Sequence, residues 1–436
     1  RRHTRYRRSS RGLGDVYKRQ PEDGRHRGRK LEFVYRRTPT NPGRYLEAAA
    51  RRSGMTVIAT DSLDWASIDE DTDAVVFVES PHPAATVTGT NPGVPVLLWI
   101  HHGEIHTNAH LRLVRRYAPD AVLMGHSWHL AHRFPLPVHR FPFAVPTELV
   151  DAGRPFEDRA FDSAFVGSLG HGERYAERRA MVQGIVDALG ADAVRLAEGV
   201  SPEELASIYG DSRTVVNDGG VRHHPITMRV FEAIGSGAAL VTEPTPGLDC
   251  LFAPDRDFLD TDATSMVPSV IDLLRSGDRA SAMAASALER AVGRHTYDHR
   301  IDELLEIVDA SSREPATWNV PVPSSALGSA VDRAIEIDSV AAYGSPGLDE
   351  DLVLRSVWVD PEPGVRTYDA VVLGAEVEFD PAMADQAVRY LIVDPVHEHP
   401  AIEWARSRPG SRVTTTPRAV IFDLDAPGYR VRMEFA

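Results

Sequence analysis

The chain has 436 residues, of which 42% are hydrophobic and 25% are charged, and this length allows two or three globular domains. A formal net charge of −15 argues against a nucleic-acid partner, because the protein as a whole would repel a polyanion. The one cysteine, Cys250, rules out an internal disulfide and indicates a reducing, cytoplasmic location, and the longest apolar run, residues 94–100, is too short to cross a membrane, which leaves only peripheral association.

Residues 1–29 differ in composition from the rest of the chain. They are dense in arginine and have no apolar periodicity, a pattern that predicts a disordered basic tail. Residues 9–20 resemble translated sequencing-adaptor read-through, so this tail is expected to be partly foreign to the protein, and residues 1–20 are left out of the fold prediction. The alternative is a basic tail that binds acidic lipid or nucleic acid.

Residues 30–150 are predicted to form a first α/β domain. Apolar runs predict strands at residues 31–35, 55–59, 74–78, 94–100 and 120–124, and an amphipathic pattern predicts a helix at residues 44–53. Alternation of this kind is typical of a parallel sheet with helices on both faces, which is a Rossmann-like fold.

Polar residues follow the strand at residues 94–100, at the edge where a parallel sheet binds its ligands. The segment contains His101, His102, Glu104 and His106. We predict a catalytic or ligand-positioning role for His102 or Glu104, because histidine titrates near neutral pH and glutamate can accept a proton. Two alternatives remain open: the residues have no chemical role, or they bind zinc, although they lack the spacing of the common zinc motifs.

A second α/β domain is predicted at residues 151–312. Its first strand leads into a loop with Gly167 and Ser168, and a helix with several arginines follows at residues 174–189. Small residues in such a loop let a diphosphate approach the backbone, although a simple tight turn has the same pattern.

The most informative segment is residues 217–237, which lies between two apolar strands. Its loop contains four polar or small residues that we predict to contact a ligand, namely Asn217, Gly219, Gly220 and His224. The helix that follows carries Arg229 and Glu232 three residues apart, on the same side. Free N–H groups at a helix start favour a phosphate, while a guanidinium and a carboxylate can hold a diphosphate and two sugar hydroxyls.

This combination is the chemistry of a nucleotide-sugar site. Glu243 follows the next strand and is predicted to lie at the same edge of the sheet. The alternative for Arg229 and Glu232 is a surface ion pair without a binding role.

Residues 228–242, with the sequence MRVFEAIGSGAALVT, resemble a block of the CgeB-like, spore-maturation-type glycosyltransferases within the GT-B group. Residues 161–169 are similar to the first strand of that family's donor domain, and residues 293–300 to its closing segment. Residues 139–150 resemble its connection between the acceptor and donor domains, which sets the domain boundary near residue 150.

The resemblance implies a GT-B fold, in which two Rossmann-like domains face a cleft and the last helices return towards the first domain. It implies a metal-independent, hexosyltransferase-like enzyme without a cofactor, which moves a sugar from a nucleotide-sugar donor to a glycan, lipid or protein acceptor. Many retaining members have two glutamates, of which the second binds the donor ribose. Glu232 matches that second glutamate, but His224 occupies the position of the first. That departure favours the alternative, a catalytically inactive relative that binds a nucleotide or a glycan as a scaffold.

Residues 313–325 are rich in proline and serine and are predicted to be a linker. Residues 326–436 are predicted to form a small α/β accessory domain of unknown role, with strands at residues 339–344, 368–374, 390–394 and 419–424 and a final hairpin. Residues 368–374 are similar to a methyltransferase strand, but no glycine-rich cofactor loop precedes them.

Overall fold

The structure is a computed structural model, and it describes residues 24–38, 41–79, 84–101, 103–147, 150, 154–170, 175–218, 225–311, 339–344, 356–393, 399–408, 412–415 and 419–424. Three open sheets succeed one another along this part of the chain. In the described residues, no helix combines the length and the apolar character that a bilayer crossing requires.

The first sheet is entirely parallel. Its strands are β1 (Lys30–Val34), β2 (Thr56–Thr60), β4 (Ala74–Val78), β6 (Val96–Ile100), β7 (Ala121–Met124) and β8 (Val138–Arg140), and two further short strands, β3 (Ser62–Asp64) and β5 (Thr86–Thr88), pair separately. The strand order is β2-β1-β4-β6-β7-β8. The helices α1 (Gly43–Arg52) and α2 (Gly103–Tyr117) connect strands of this sheet. The strands predicted from sequence are therefore present, with ends displaced by one or two residues.

Helix α2 is the main difference from the sequence prediction. Its N-terminal half, with the sequence GEIHTNAH, contains one aliphatic residue larger than alanine, so the apolar periodicity of a helix is absent there. Of the helix residues whose side chains are described, Leu111, Leu113, Val114 and Tyr117 are buried apolar residues. The histidine-rich segment after β6 is thus the start of a helix.

The second sheet is also parallel, with the order β10-β9-β11-β12-β13. Its strands are β9 (Phe161–Val166), β10 (Val194–Ala197), β11 (Ser212–Asn217), β12 (Ala239–Thr242) and β13 (Leu259–Asp260), and its helices are α3 (Ala176–Leu189), α4 (Pro202–Gly210), α5 (Met228–Gly235), α6 (Met266–Arg275), α7 (Gly277–Arg294) and α8 (Tyr297–Ala310). Consecutive residues of β11 belong to different cores: Val215 packs in the cluster that contains Phe231 of α5, and Val216 in the cluster that contains Val270 of α6. Helices therefore cover both faces of this sheet.

Helix α8 returns to the first domain, as the resemblance implies. Arg52 of α1 donates to the Asp298 carboxylate at 2.9 Å, and the hydroxyl of Thr147 also donates to Asp298. Immediately before α8, Thr296 pairs with Val145 in an isolated parallel bridge. These contacts join the start of α8 to the segment that connects the two domains.

The last residues of the predicted tail are ordered against the same helix, so the prediction of disorder is wrong for residues 24–29. Arg25 and His26 both contact the carboxylate of Asp302, at 3.1 and 2.7 Å, and Arg29 pairs with Asp309 at 2.7 Å. The arginine density that suggested disorder here matches an acidic face of α8. Residues 1–23 lie outside the described residues.

The third sheet is mixed and has the order β15-β14-β16-β17-β19-β18. Its strands are β14 (Ser339–Tyr343), β15 (Ser356–Val359), β16 (Tyr368–Leu373), β17 (Ala387–Val393), β18 (Arg412–Thr415) and β19 (Val420–Asp423), with helices α9 (Pro381–Ala384) and α10 (Pro400–Arg406). Strand β19 is antiparallel to both of its neighbours, and the other pairs are parallel. The predicted linker and final hairpin lie outside the described residues.

These three sheets confirm the predicted fold class. The chain is α/β, with two Rossmann-like parallel-sheet domains and a small C-terminal α/β unit. The sequence predicts four of the six strands in that unit, and it misses β15 and β18.

Candidate functional site

A buried charge cluster lies at the carboxyl edge of the second sheet, and Arg229 of α5 is its centre. Its Nη1 donates to Asn217 Oδ1 at 2.9 Å and to Asp218 Oδ1 at 3.3 Å, and its Nε donates to the Val166 carbonyl at 3.2 Å. The guanidinium carbon lies 4.4 Å from the ring centre of Phe165. Arg229 therefore links the ends of β9 and β11, and its side chain keeps 12% of its exposure. Arg229 is thus largely buried and pairs with Asp218, whereas the alternative had it pair with Glu232 at the surface.

A second arginine completes the cluster from the other side. Arg178 of α3 contacts Asp218 Oδ2 through Nε at 2.5 Å, and its Nη1 donates to the Ser168 carbonyl at 2.7 Å. Asp218 thus lies between two guanidinium groups, with a side chain that is only 8% exposed. The Nη2 of Arg178 makes no hydrogen bond to a described residue.

Gly167 and Ser168 lie directly against these arginines. A Cβ atom at position 167 would come within 2.6 Å of Arg229 Nη2, so only glycine lets this guanidinium lie against the backbone. The Ser168 hydroxyl accepts the Gly170 N–H at 3.2 Å, which holds the loop in a local turn. The group that lies against Gly167 is the Arg229 side chain, and the approach of a diphosphate to this glycine stays a prediction.

Asn217 is fully buried and has several hydrogen bonds inside the protein. Its Oδ1 accepts from Arg229 and from the Thr227 hydroxyl at 3.0 Å, and its Nδ2 donates to the Thr242 hydroxyl at 2.9 Å. These contacts orient Arg229 and tie β11 to β12. Glu243 follows β12 at the same edge, where its backbone N–H donates to the Asn217 carbonyl at 3.0 Å.

Glu232, one helical turn after Arg229, has a different environment. It is partly buried and, within the described residues, it forms neither a hydrogen bond nor an ion pair. Burial raises the pKa of this carboxyl to about 7, and the positive charge of Arg229 opposes that rise. Glu232 in turn contributes to the raised pKa values of the buried phenols Tyr209 and Tyr297. A carboxylate in this setting is suited to accept hydrogen bonds from a ligand.

The remaining predicted residues fall outside the described parts of the chain. Gly219, Gly220 and His224 belong to residues 219–224, and His102 is likewise outside. Glu104 contributes its backbone to the first turn of α2, and its side chain is not among those described.

The first domain has its own buried polar cluster at the carboxyl edge of its sheet. Glu79, which follows β4, accepts the backbone N–H of His101 at 2.5 Å and contacts His110 Nε2 at 3.0 Å. His126, which follows β7, donates from Nε2 to the His101 carbonyl at 2.6 Å, so its Nδ1 accepts from the Ser127 hydroxyl at 2.5 Å when the ring is neutral. These contacts fix the end of β6 against its neighbouring strands and against α2.

The carboxyl edges of the first two sheets approach each other. The segment after β7 carries Trp128, and the segment after β12 carries Gly247 in a left-handed conformation with φ of 85°. A Cβ atom at position 247 would lie 2.8 Å from the Trp128 ring, so the two segments are in direct contact. The guanidinium carbon of Arg140 lies over the Trp128 ring, 5.1 Å from its centre.

The site residues predicted from the sequence do not include Asp218 or Arg178. Asp218 directly follows Asn217 in the segment of residues 217–237, so its place in the sequence is a signal that could have identified it as a site residue. Nothing in the sequence pairs Arg178 with it, because the two residues are 40 positions apart. Glu79 and His110 are missed for the same reason.

Three solved structures are similar to the chain at low sequence identity. TarM is 10% identical with a TM-score of 0.41, and the match covers 54% of this chain and 55% of TarM, so the chain spans about half of that protein. HepE of Anabaena, solved with UDP and glucose, is 9% identical with a TM-score of 0.47, over 65% of this chain and 100% of HepE. An alpha-glucosyltransferase solved with UDP-glucose and DNA containing an abasic site is 10% identical with a TM-score of 0.49, over 64% and 99%.

No curated protein matches the chain. The family model described as glycosyl transferase-like matches residues 155–306. This range contains β9 to β13 and the whole arginine cluster. Residues 155–306, which belong to the second domain, are therefore similar to the glycosyl transferase-like family.

Proposed function

We propose that the protein is a nucleotide-sugar-dependent glycosyltransferase of the CgeB-like type, which transfers a hexose to a glycan, lipid or protein acceptor. One observation carries the proposal: two guanidinium groups and one carboxylate, all largely buried, lie at the carboxyl edge of the sheet, and a second carboxylate, Glu232, makes no hydrogen bond or ion pair with a described residue. The two guanidinium groups are suited to bind a diphosphate, and the Glu232 carboxylate is suited to accept hydrogen bonds from the hydroxyls of a ribose.

The diphosphate is proposed to bind beside Arg178 and Arg229. Asp218 neutralises only one of the two positive charges, so the cluster retains a surplus that an anionic ligand balances. When the bond to the sugar breaks, negative charge develops on the leaving diphosphate. Arginines that are already held by Asp218, Asn217 and backbone carbonyls stabilise that charge without rearrangement.

Glu232 is proposed to accept hydrogen bonds from the two ribose hydroxyls of the donor. A carboxylate offers two oxygens in one plane, which matches a vicinal diol. Gly219, Gly220 and His224 are proposed to complete the donor side, together with Asn217 and Glu243 as supports. Catalysis by His102 or Glu104 from the first domain is part of the same proposal, as are a metal-independent mechanism and a cytoplasmic location.

The test is a panel of nucleoside diphosphates and their sugars in thermal shift, followed by titration calorimetry with the best ligand. A ligand at a hundred times its dissociation constant adds about 2.7 kcal/mol of stability. We expect one diphosphate sugar to bind to the wild type and to bind at least tenfold more weakly to Arg229→Ala. Absence of binding by every compound would contradict the proposal.

A second candidate is a catalytically inactive relative that binds a nucleotide or a glycan. The observation in its favour is His224, which stands where retaining relatives are expected to have a glutamate. The two candidates differ in turnover: the enzyme hydrolyses the bound donor slowly or transfers its sugar, whereas the inactive relative binds the donor and leaves it intact.

A further inference from the structure

The third sheet has a topological switch point of its own. Strand β14 is paired in parallel with β15 on one side and with β16 on the other, so the chain runs first to one side of β14 and then to the opposite side. In open parallel sheets, ligands bind outside the carboxyl ends of the strands at such a point. The residues that follow β14, β15 and β16 are therefore the place to look for a ligand site.

Glycine ends both strands that border this point. Gly344 follows β14 with φ of 59°, is exposed, and would place a Cβ atom 3.2 Å from Val377, so the turn requires glycine. Gly374 follows β16, and its N–H donates to the Tyr343 carbonyl at 2.8 Å. The absence of a glycine-rich loop before residue 368 is evidence against a cofactor site only if β16 is the first strand of this unit. The sheet order makes β14 that strand, and a glycine does follow it.

Asp360 follows β15 and reaches across to Gly344. Its Oδ1 accepts the Gly344 N–H at 2.9 Å, and its own N–H donates to the Ala342 carbonyl at 2.7 Å. The side chain is exposed, and its second oxygen has no hydrogen bond from a described residue. In Rossmann-like sheets an acidic residue about 20 positions after the first glycine turn binds the ribose hydroxyls. Here the separation between Gly344 and Asp360 is 16 residues.

The charge at this edge selects the kind of nucleoside. Residues 360–367 and 374–380, which follow β15 and β16, contain one basic residue, Arg366, and five acidic residues: Asp360, Glu362, Glu376, Glu378 and Asp380. All five are exposed. They would repel the phosphates of a nucleotide and attract a cationic substituent. The second domain has the opposite character, because two arginines lie at its corresponding edge.

We propose that the third sheet binds a nucleoside that carries no phosphate and has a cationic group on its ribose, with Asp360 as the ligand of the ribose hydroxyls and Gly344 as the point of closest backbone approach. An adenosyl sulfonium such as S-adenosylmethionine has this chemistry. The site is independent of the donor site of the second domain, and nothing in the proposed sugar transfer uses it.

The test uses the full chain in titration calorimetry with S-adenosylmethionine, S-adenosylhomocysteine, adenosine and ATP. We expect S-adenosylmethionine to bind most tightly and ATP to bind at least tenfold more weakly, since its phosphates meet the acidic edge. Asp360→Asn keeps a residue that tolerates positive φ, and it should weaken the binding of S-adenosylmethionine at least tenfold. Glu403→Gln, on the exposed side of α10, makes the same charge change and should leave binding unaltered.

Donor-site variants separate the two proposals, because Arg229→Ala should leave nucleoside binding unchanged. The inference is overturned if none of the four compounds binds to the wild type at millimolar concentration. It is also overturned if ATP binds as tightly as S-adenosylmethionine, or if Asp360→Asn binds like the Glu403→Gln control.

Discussion

Replacement of Glu232 by glutamine tests the donor site most directly, because the change removes a charge and keeps the shape. The carboxylate is proposed to accept two ribose hydroxyls, and charge-assisted hydrogen bonds of this kind contribute about 1.5–3 kcal/mol. We therefore expect the donor to bind about ten- to a hundredfold more weakly to Glu232→Gln, as measured by titration calorimetry. Glu289→Gln, at an exposed position of α7, is the matched control and should bind like the wild type.

The same residue predicts how donor binding depends on pH. Its pKa is raised to about 7, so the ionised form that accepts two hydroxyl hydrogens is a minority at pH 6 and the majority at pH 8. The apparent affinity follows the ionised fraction and should be about eight- to tenfold higher at pH 8 than at pH 6. Glu232→Gln should lose this dependence. A dependence that survives in the variant would assign the titration to another group.

Stability should change in the opposite direction to binding. The folded protein holds a proton on Glu232 up to about pH 7, whereas the unfolded chain releases it near 4.5. The folded state therefore binds more protons between these values, and the free energy of unfolding falls as the pH rises from 4.5 to about 7. Glutamine carries no such penalty, so the variant should be more stable than the wild type at pH 8, by up to about 3 kcal/mol, and similar to it near pH 5. In the calorimetric test of donor binding, an unchanged affinity in well-folded Glu232→Gln would show that this carboxylate has a structural role.

Four further predictions concern other parts of the chain. Gly167→Ala should weaken donor binding about tenfold in calorimetry, because its methyl group displaces the Arg229 guanidinium, and equal affinity would separate Arg229 from the donor. Asp218→Asn leaves two buried guanidiniums uncompensated and should lower the free energy of unfolding by about 3 kcal/mol in denaturant titration; a neutral result would mean that water already compensates them. Removal of residues 1–20 should leave the melting temperature unchanged, whereas removal of residues 1–29 also takes away the contacts of Arg25, His26 and Arg29 with α8 and should cost at most about 1 kcal/mol. His102→Ala and Glu104→Ala should lower kcat more than they raise KM for the donor, and full activity in both variants would exclude a catalytic role.

The sheets were predictable from sequence because buried parallel strands are continuous apolar runs. Strand β4 is a stretch of five buried residues and was located without error, and β6 differs only at its start. Helix α5 was equally clear, since Val230, Phe231 and Ile234 form one buried face. Local sequence is sufficient for such elements, because burial on both sides of the sheet leaves little choice of residue.

Contacts between distant residues were beyond local reasoning. The position of Arg178 against Asp218 depends on how α3 packs on the sheet, and no periodicity encodes it. Helix α2 is not predicted because its first half lacks apolar periodicity, and a buried position of the helix carries a histidine: His110 is completely buried and contacts Glu79. Composition was also misleading for residues 24–29, which have the charge of a disordered tail and lie against an acidic helix face.

The two proposed sites imply that the second and third sheets discriminate between ligands by charge. Both have a glycine directly after their first strand, Gly167 and Gly344, and both domains carry a carboxylate, Glu232 and Asp360, with at least one oxygen that accepts no hydrogen bond from a described residue. The difference lies in what surrounds the glycine. At Gly167 a guanidinium lies against the backbone, which favours a phosphate, whereas the Gly344 N–H donates to the carboxylate of Asp360. A ligand with a diphosphate is therefore expected to partition to the second domain, and a phosphate-free cationic nucleoside to the third, so simultaneous titration with both should show two independent sites rather than competition for one.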